Sequence, residues 1–206
     1  MFRNKTIALS MSGGVDSTML CFLMAKSIRR NSLNSTIQPY NGFDSWAPND
    51  SQKLPSIIQY IKEKFPTVKI NDPLMIRFNT NGDQINDKNS YIQPFIENLI
   101  ENKTVDIVMN GISKGPSIPV QKTFGESLPF KRRPGKHLWD EVERADSLTS
   151  PFKSIDKRFI VQCYKDFKCE DLLDLTHSCT HPVKQSCGEC WWCKERKWAI
   201  NEVFQN

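Results

Sequence analysis

Apolar positions along the chain fall into short continuous runs and longer helical stripes. Thr6-Ile7-Ala8-Leu9-Ser10-Met11 is a run of strand length with little polar interruption, which predicts a strand buried on both faces. The segment Thr18 to Lys26 then reads as a helix. Ser35 to Tyr40 predicts a second, shorter strand, and Pro39 places it near a sheet edge or a strand end. Asn41 to Asp50 reads as a loop from its Gly, Pro, Asn and Asp content, with Phe43 and Trp46 free either to stack on a base or to cap the core. From Ser51 to Phe65, Leu54, Ile57, Ile58 and Ile61 keep helical spacing, with Ser51 as N-cap and Pro66 as the stop. Val68 to Ile70 and Leu74 to Phe78 are strand material split by Asp72-Pro73. A polar stretch with a turn at Asn81-Gly82-Asp83 follows, and Ser90 is expected to cap a helix through Tyr91, Phe95, Ile96, Leu99 and Ile100. Val105 to Ile112 is the clearest later strand.

The order β-α-β-α-β-α-β predicts an α/β fold with a doubly wound parallel sheet. Ser113 to Pro134 is long and polar, which suits a substrate-covering loop. Within it and just beyond, Phe130 to His137 concentrates positive charge, either as a solvated loop or as an anion-steering rim. His137 to Ala145 has helical character, Ser150-Pro151-Phe152 starts a short extended piece, and Ile155 to Phe167 reads as a helix bearing Phe159, Ile160, Cys163 and Tyr164. The 206 residues suit one domain over 1–168 and a small appended segment over 169–206.

Composition narrows the setting. No apolar run approaches the roughly 20 residues of a membrane span, and Met1 to Lys5 leaves no room for a signal peptide ahead of the first strand. A cytoplasmic enzyme is expected. The net charge of +5 suits an anionic substrate and permits nucleic acid without requiring it. Four of the seven cysteines crowd between positions 179 and 193, a metal-binding rather than a disulfide pattern.

The chemistry centres on Ser12-Gly13-Gly14-Val15-Asp16-Ser17, between the first strand and the first helix. A Gly-Gly turn rich in hydroxyls at a helix start is a place to hold an anion, because backbone N–H groups converge there. Ser12, Ser17 and Thr18 can donate further hydrogen bonds. Asp16 adds negative charge beside a phosphate, which a magnesium ion would reconcile. The stretch resembles the SGGxDS pyrophosphate loop of the PP-loop ATPases, an adenine-nucleotide α-hydrolase (HUP-like) fold that cleaves ATP between the α- and β-phosphates and adenylates a substrate oxygen.

Cys179, Cys187, Cys190 and Cys193 form C-x7-C-x2-C-x2-C, a spacing that satisfies a closed, structural tetrahedral zinc site, with an iron–sulfur cluster as the competing reading. His177 and His181 flank the first cysteine and are expected as free surface histidines. Loop and tail together resemble the 7-cyano-7-deazaguanine (preQ0) synthase family. The carriers are His177-Ser178-Cys179, Cys187-Gly188-Glu189-Cys190 through Cys193 and Arg196, Ser150-Pro151-Phe152 with Lys157, Tyr40-Asn41, and Asn110-Gly111-Ile112. Gly42-Phe43-Asp44, Asp87 to Ser90 and Ser113 to Pro119 stand where that family carries other residues. The resemblance implies an ATP-dependent C–N ligase that adenylates a small carboxylate, takes up ammonia and dehydrates the amide to a nitrile, with ATP, Mg2+ and Zn2+ as cofactors and a homodimer as assembly. It assigns catalysis to Asp16 and Lys157, nucleotide binding to Ser10, Ser12, Gly13, Gly14, Val15, Asp16, Ser17, Thr18, Tyr40 and Gly111, and metal binding to the four tail cysteines. Two alternatives stay open: a PP-loop enzyme that modifies a macromolecule, such as tRNA by thiolation, and a nucleotide-binding zinc module without catalysis.

Overall fold

The computed structural model describes residues 2–44, 49–78, 84–125, 148–179 and 186–205. In chain order its elements are β1 Thr6–Ser10, α1 Val15–Arg30, β2 Thr36–Asp44, α2 Asn49–Lys64, β3 Lys69–Ile70, β4 Leu74–Phe78, α3 Gln84–Glu101, β5 Ile107–Met109, α4 Ile118–Thr123, β6 Leu148–Thr149, α5 Lys157–Asp166, α6 Glu170–Leu175 and α7 Trp191–Phe204. The strands form one sheet in the order β3-β2-β1-β5-β6, with β4 also on β2, and every pairing is parallel. The chain winds outward from β1 to β2 and β3, then returns to β5 on the other side of β1. The doubly wound α/β fold expected from the pattern is therefore the fold observed, and its switch point lies between β1 and β5, where such sheets bind ligands.

Side-chain alternation explains the layers. Ile7 and Leu9 of β1 point into a core shared with α1, α2, α5 and α7, while Ala8 points into a second core with Tyr40, Ile92, Ile96, Leu99 and Val108 under α3. Both faces of β1 are thus covered, which is why its apolar run is nearly continuous. Ala199 and Val203 of α7 join the main core, so the helix that follows the cysteines is seated on the α/β body.

Several boundaries differ from expectation, each for a physical reason. Pro39 lies not at an edge but inside β2, opposite Leu9 of β1. Its missing N–H faces the other neighbour, where the edge is broken between β3 and β4 at residues 71–73, so no ladder bond is lost. Asn71 N–H donates to the Ile37 carbonyl at 3.0 Å, and the Gln38 side chain reaches the Asp72 carbonyl at 3.0 Å to close the gap. β2 runs on through Gly42-Phe43-Asp44, because β4 pairs with it to its end. α2 starts at Asn49 and α3 at Gln84, so neither Ser51 nor Ser90 is an N-cap. The later polar loop contains α4, and residues 151–154 form a turn after β6 rather than an extended piece. Phe159 is 61% exposed and lies outside the core stripe of α5, although Cys163 packs beside it as expected. The expected turn at 81–83, Trp46, the basic segment from 130, the helix over 137–145 and His181 lie outside the described residues.

Candidate active site

The turn after β1 is shaped by the backbone. Gly13 has φ 75°, the left-handed region that a side chain disfavours. Gly14 is the N-cap of α1 and supplies no capping side chain, so the helix presents its amide end outward. The Ser12 hydroxyl lies 3.3 Å from that of Ser17 and accepts the Gly14 N–H at 3.3 Å. Three remote elements hold the turn. The His177 N–H donates to the Gly13 carbonyl at 2.9 Å, the Tyr164 hydroxyl of α5 donates to the Val15 carbonyl at 2.8 Å, and the loop after β5 presses on α1. A Cβ on Gly111 would stand 2.8 Å from the Ser17 nitrogen, so only glycine permits this approach of backbone to backbone.

Asp16 is the electrostatic centre. The Lys157 ammonium donates to both of its carboxylate oxygens, at 2.8 and 2.7 Å, and the Ser113 hydroxyl donates to Oδ2 at 2.9 Å. Lys157 is the first residue of α5, whose N-cap Asp156 accepts the Arg158 N–H at 3.0 Å. That cap fixes the helix start and aims Lys157 inward. A third charge completes the group: Glu195 of α7 is fully buried and lies 3.4 Å from the Lys157 ammonium. The two residues expected to share the chemistry, Asp16 and Lys157, are therefore in contact across 141 positions of sequence.

The carboxyl ends of the strands carry a second signature. Thr18 Oγ1, Asn41 Nδ2, Asn110 Nδ2, Thr149 Oγ1 and His177 Nε2 are buried without a hydrogen-bond partner among the described residues. Buried polar groups of a folded protein normally find partners, so a group of orphans at the ligand end of an α/β sheet points to a ligand that satisfies some of them. Of the expected nucleotide-binding residues, Ser12, Gly13, Gly14, Asp16, Ser17 and Gly111 meet at the turn. Thr18 follows on α1. Val15 contributes its carbonyl while its side chain is core. Ser10 ends β1 and pairs in register with Tyr40, whose ring packs under α3 beside Phe95.

The four cysteine sulfurs of Cys179, Cys187, Cys190 and Cys193 lie within 4.8 Å of one another. Cys187 and Cys193 sulfurs are 3.9 Å apart, far beyond a disulfide bond and close to the roughly 3.8 Å edge of a tetrahedron of zinc–thiolate bonds. Backbone N–H groups of Cys190 and Cys187 point at the Cys187 and Cys179 sulfurs, at 3.3 and 3.5 Å. These contacts favour thiolate: the Cys190 N–H, foremost, holds the Cys187 thiol down at about 6. Burial pushes Cys193 up to about 12, a penalty that a bound cation reverses. The donor set fits a metal ion or an iron–sulfur cluster, and Cys190 is also the N-cap of α7, whose amide end favours the anionic ligands.

The cysteine cluster is mechanically tied to the glycine turn. Cys179 follows His177, which pairs with Gly13, and Cys193 precedes Glu195, which faces Lys157. Arg196 clamps the carbonyls of Thr176 and Leu173 at 2.6 and 2.9 Å, holding the segment that leads into Cys179 against α7. His177 is buried rather than a free surface residue, because that clamp and the Gly13 bond draw it under the turn. Ser113 and Glu195 were not foreseen: each is a lone polar residue whose role arises only when distant segments meet.

The chain matches no protein-family model, and no curated protein matches it. Solved structures do align with it. A U34-tRNA thiolase, NcsA from Methanococcus maripaludis, solved with its [4Fe-4S] cluster, aligns over 97% of this chain and 67% of its own, with TM-score 0.52 and 10% identity. A Pyrococcus horikoshii protein aligns over 79% of this chain and 40% of its own, with TM-score 0.41 and 12% identity. A Mycobacterium tuberculosis protein aligns over 72% of this chain and 94% of its own, with TM-score 0.36 and 11% identity. At such identities the first likeness concerns the fold alone.

Proposed function

We propose that this chain is an ATP-using enzyme of the PP-loop type that adenylates an oxygen atom of its substrate. The observation that carries this reading is the part-buried contact of Lys157 with both oxygens of Asp16 at the amide end of α1. That arrangement puts a cation, a carboxylate and helix N–H groups around one point, as a triphosphate requires. In the step proposed, the acceptor oxygen attacks the α-phosphorus, the bond to the β-phosphate oxygen breaks, and pyrophosphate leaves. A second nucleophile then displaces AMP. Lys157 and the turn amides neutralise the developing charge, and Ser113 holds the Asp16 carboxylate in place. Magnesium, when bound at Asp16, supplies further charge neutralisation on the leaving group.

For the acceptor, a base of an RNA is favoured over a free small carboxylate. The support is twofold: the structural neighbour of highest TM-score given above is a tRNA thiolase with a cluster, and the cysteine group here is joined to the turn through His177 and Glu195. The second nucleophile is then a sulfur donor. The tail motif favours a second reading, in which the acceptor is the carboxylate of 7-carboxy-7-deazaguanine, the nucleophile is ammonia and the cysteines hold zinc.

The experiment is AMP and pyrophosphate release from Mg·ATP with unmodified tRNA plus a sulfide source in one arm, and the deazaguanine carboxylate plus ammonium in the other. Metal and sulfide analysis of the protein accompanies it. Iron with acid-labile sulfide and AMP release in the tRNA arm is expected. Zinc with preQ0 formation selects the second reading. ATP bound without AMP release in either arm identifies a non-catalytic nucleotide module.

A further inference from the structure

Lys157 has a difficulty in the proposed chemistry. It is the principal partner of Asp16, and Asp16 is also the carboxylate assigned to magnesium. A divalent cation arriving at Asp16 competes with the ammonium for the same oxygens and repels it. A lysine with no other anchor would then swing away from the loop just when the phosphates arrive. A second anchor is present. Glu195 is fully buried, comes from a different element, and approaches Lys157 from the α7 side at 3.4 Å, while Lys157 itself is only 7% exposed at its side chain. The longer separation, against 2.7 Å to Asp16, marks Asp16 as the main partner in the nucleotide-free state and Glu195 as the partner in reserve.

We propose that Glu195 is a positioning residue that retains the Lys157 ammonium at the nucleotide turn when Asp16 turns to its cation. This inference rests on the adenylating-enzyme reading and deepens it. It also explains how the cysteine group bears on ATP: Glu195 lies on α7 just past Cys193, so a metal held by the cysteines would fix the start of α7 and with it the distance from Glu195 to Lys157. No contact of Glu195 with the substrate is required. Its effect runs through Lys157, and the conservative Glu195→Asp keeps the charge but shortens the reach.

The test uses the whole, metal-loaded chain. Calorimetry first measures Mg·ATP binding by the wild type. Acetic anhydride then labels lysines with and without Mg·ATP, and mass spectrometry reads the modification rate at Lys157. In Glu195→Gln, Lys157 keeps Asp16 as partner, so labelling without nucleotide stays at the wild-type rate. With Mg·ATP, Lys157 of this variant is labelled about tenfold faster than in the wild type, the order expected for losing about 1.4 kcal/mol of anchoring. Glu195→Asp falls in between. AMP release drops about 100-fold in Glu195→Gln, as for a reacting group displaced by an ångström, with little change in KM for ATP. The melting temperature stays near the wild type, since Lys157 keeps Asp16 at 2.7 Å and no buried charge is left uncompensated. Equal labelling of wild type and Glu195→Gln in the presence of Mg·ATP overturns the role of Glu195 alone. Faster labelling in both states, together with a lowered melting temperature, also overturns it and makes Glu195 structural. Absence of Mg·ATP binding by the wild type overturns the ATP reading and this inference with it.

Discussion

The two ends of the sheet are built on opposite terms. At the amino ends of the strands, polar groups are paired and wet: Lys5 bridges to Asp106 at 2.8 Å, Asp106 also accepts the Thr6 N–H at 2.8 Å, and both charged side chains are well exposed. At the carboxyl ends, buried Lys157 and Glu195 meet half-buried Asp16, and several hydroxyl and amide groups lack a partner among the described residues. The first end ties β1 to β5 and asks for nothing more. The second holds desolvated polar groups at a cost to the fold, a cost that proteins retain where a ligand offsets it. The contrast locates function by what is left unsatisfied, independently of any motif.

The largest effect is expected at the cysteines. Cys193→Ser, or removal of the metal by a strong chelator, should lower stability by more than about 3 kcal/mol and abolish ATP turnover, because metal-binding energy serves as folding energy in such segments. Thermal melts with and without chelator, paired with metal analysis, check this. An unchanged melt would mean that Ala199 and Val203 hold α7 unaided.

Asp16→Ala should abolish AMP formation while the protein still folds. Lys157 keeps Glu195 as a neighbour, so the loss of stability should fall below the roughly 3–5 kcal/mol of a buried charge left wholly alone. Turnover like the wild type in this variant would remove Asp16 from the chemistry. Gly111→Ala should cost about 1–3 kcal/mol, since its Cβ would meet backbone atoms of Ser17 and Asp16 that cannot yield like a side chain, and it should weaken Mg·ATP binding.

Thr18→Val sharpens the comparison from the other direction. Its hydroxyl is fully buried with no partner among the described residues, so its removal should raise stability by up to about 1 kcal/mol while Mg·ATP binding weakens. Urea unfolding beside calorimetry checks both signs, and a destabilised variant would show that the hydroxyl serves the fold. The smallest effect belongs to the other end. The Lys5 ammonium, aided by the Thr6 N–H, holds the Asp106 carboxyl below its ordinary value. A depressed carboxylate contributes stability that is present above the unfolded-state value near 3.9 and is lost as pH falls through the folded-state value. Asp106→Asn should therefore flatten the acid limb of the stability curve below pH 4 without altering ATP binding.

The legibility of the sequence follows the same division. β1, the glycine turn and α1 were readable because a near-continuous apolar run, a Gly-Gly pair and a helical stripe are local signals. The split of the edge at Asp72-Pro73 was readable for the same reason, but the position of Pro39 was not, since it depends on where that split falls beside β2. The start of α3 was missed because its first turns are polar and Ser90 imitates a cap. Lys157 was found through its place in a motif. Glu195, Ser113 and the burial of His177 were not, because a solitary polar residue has no period, and its meaning comes from a partner far away in the chain.

That distance also orders events in time. Asp16 meets Ser113 across 97 positions and Lys157 across 141, so the turn is local in sequence while the groups that restrain it come from far along the chain. Lys157, the cation that faces Asp16, comes with α5, and contacts of such span are slow to form. The Asp16 carboxylate thus gains its cation only through one of the longest loop closures described in the chain. Folding is in this sense the first checkpoint on when the site can act.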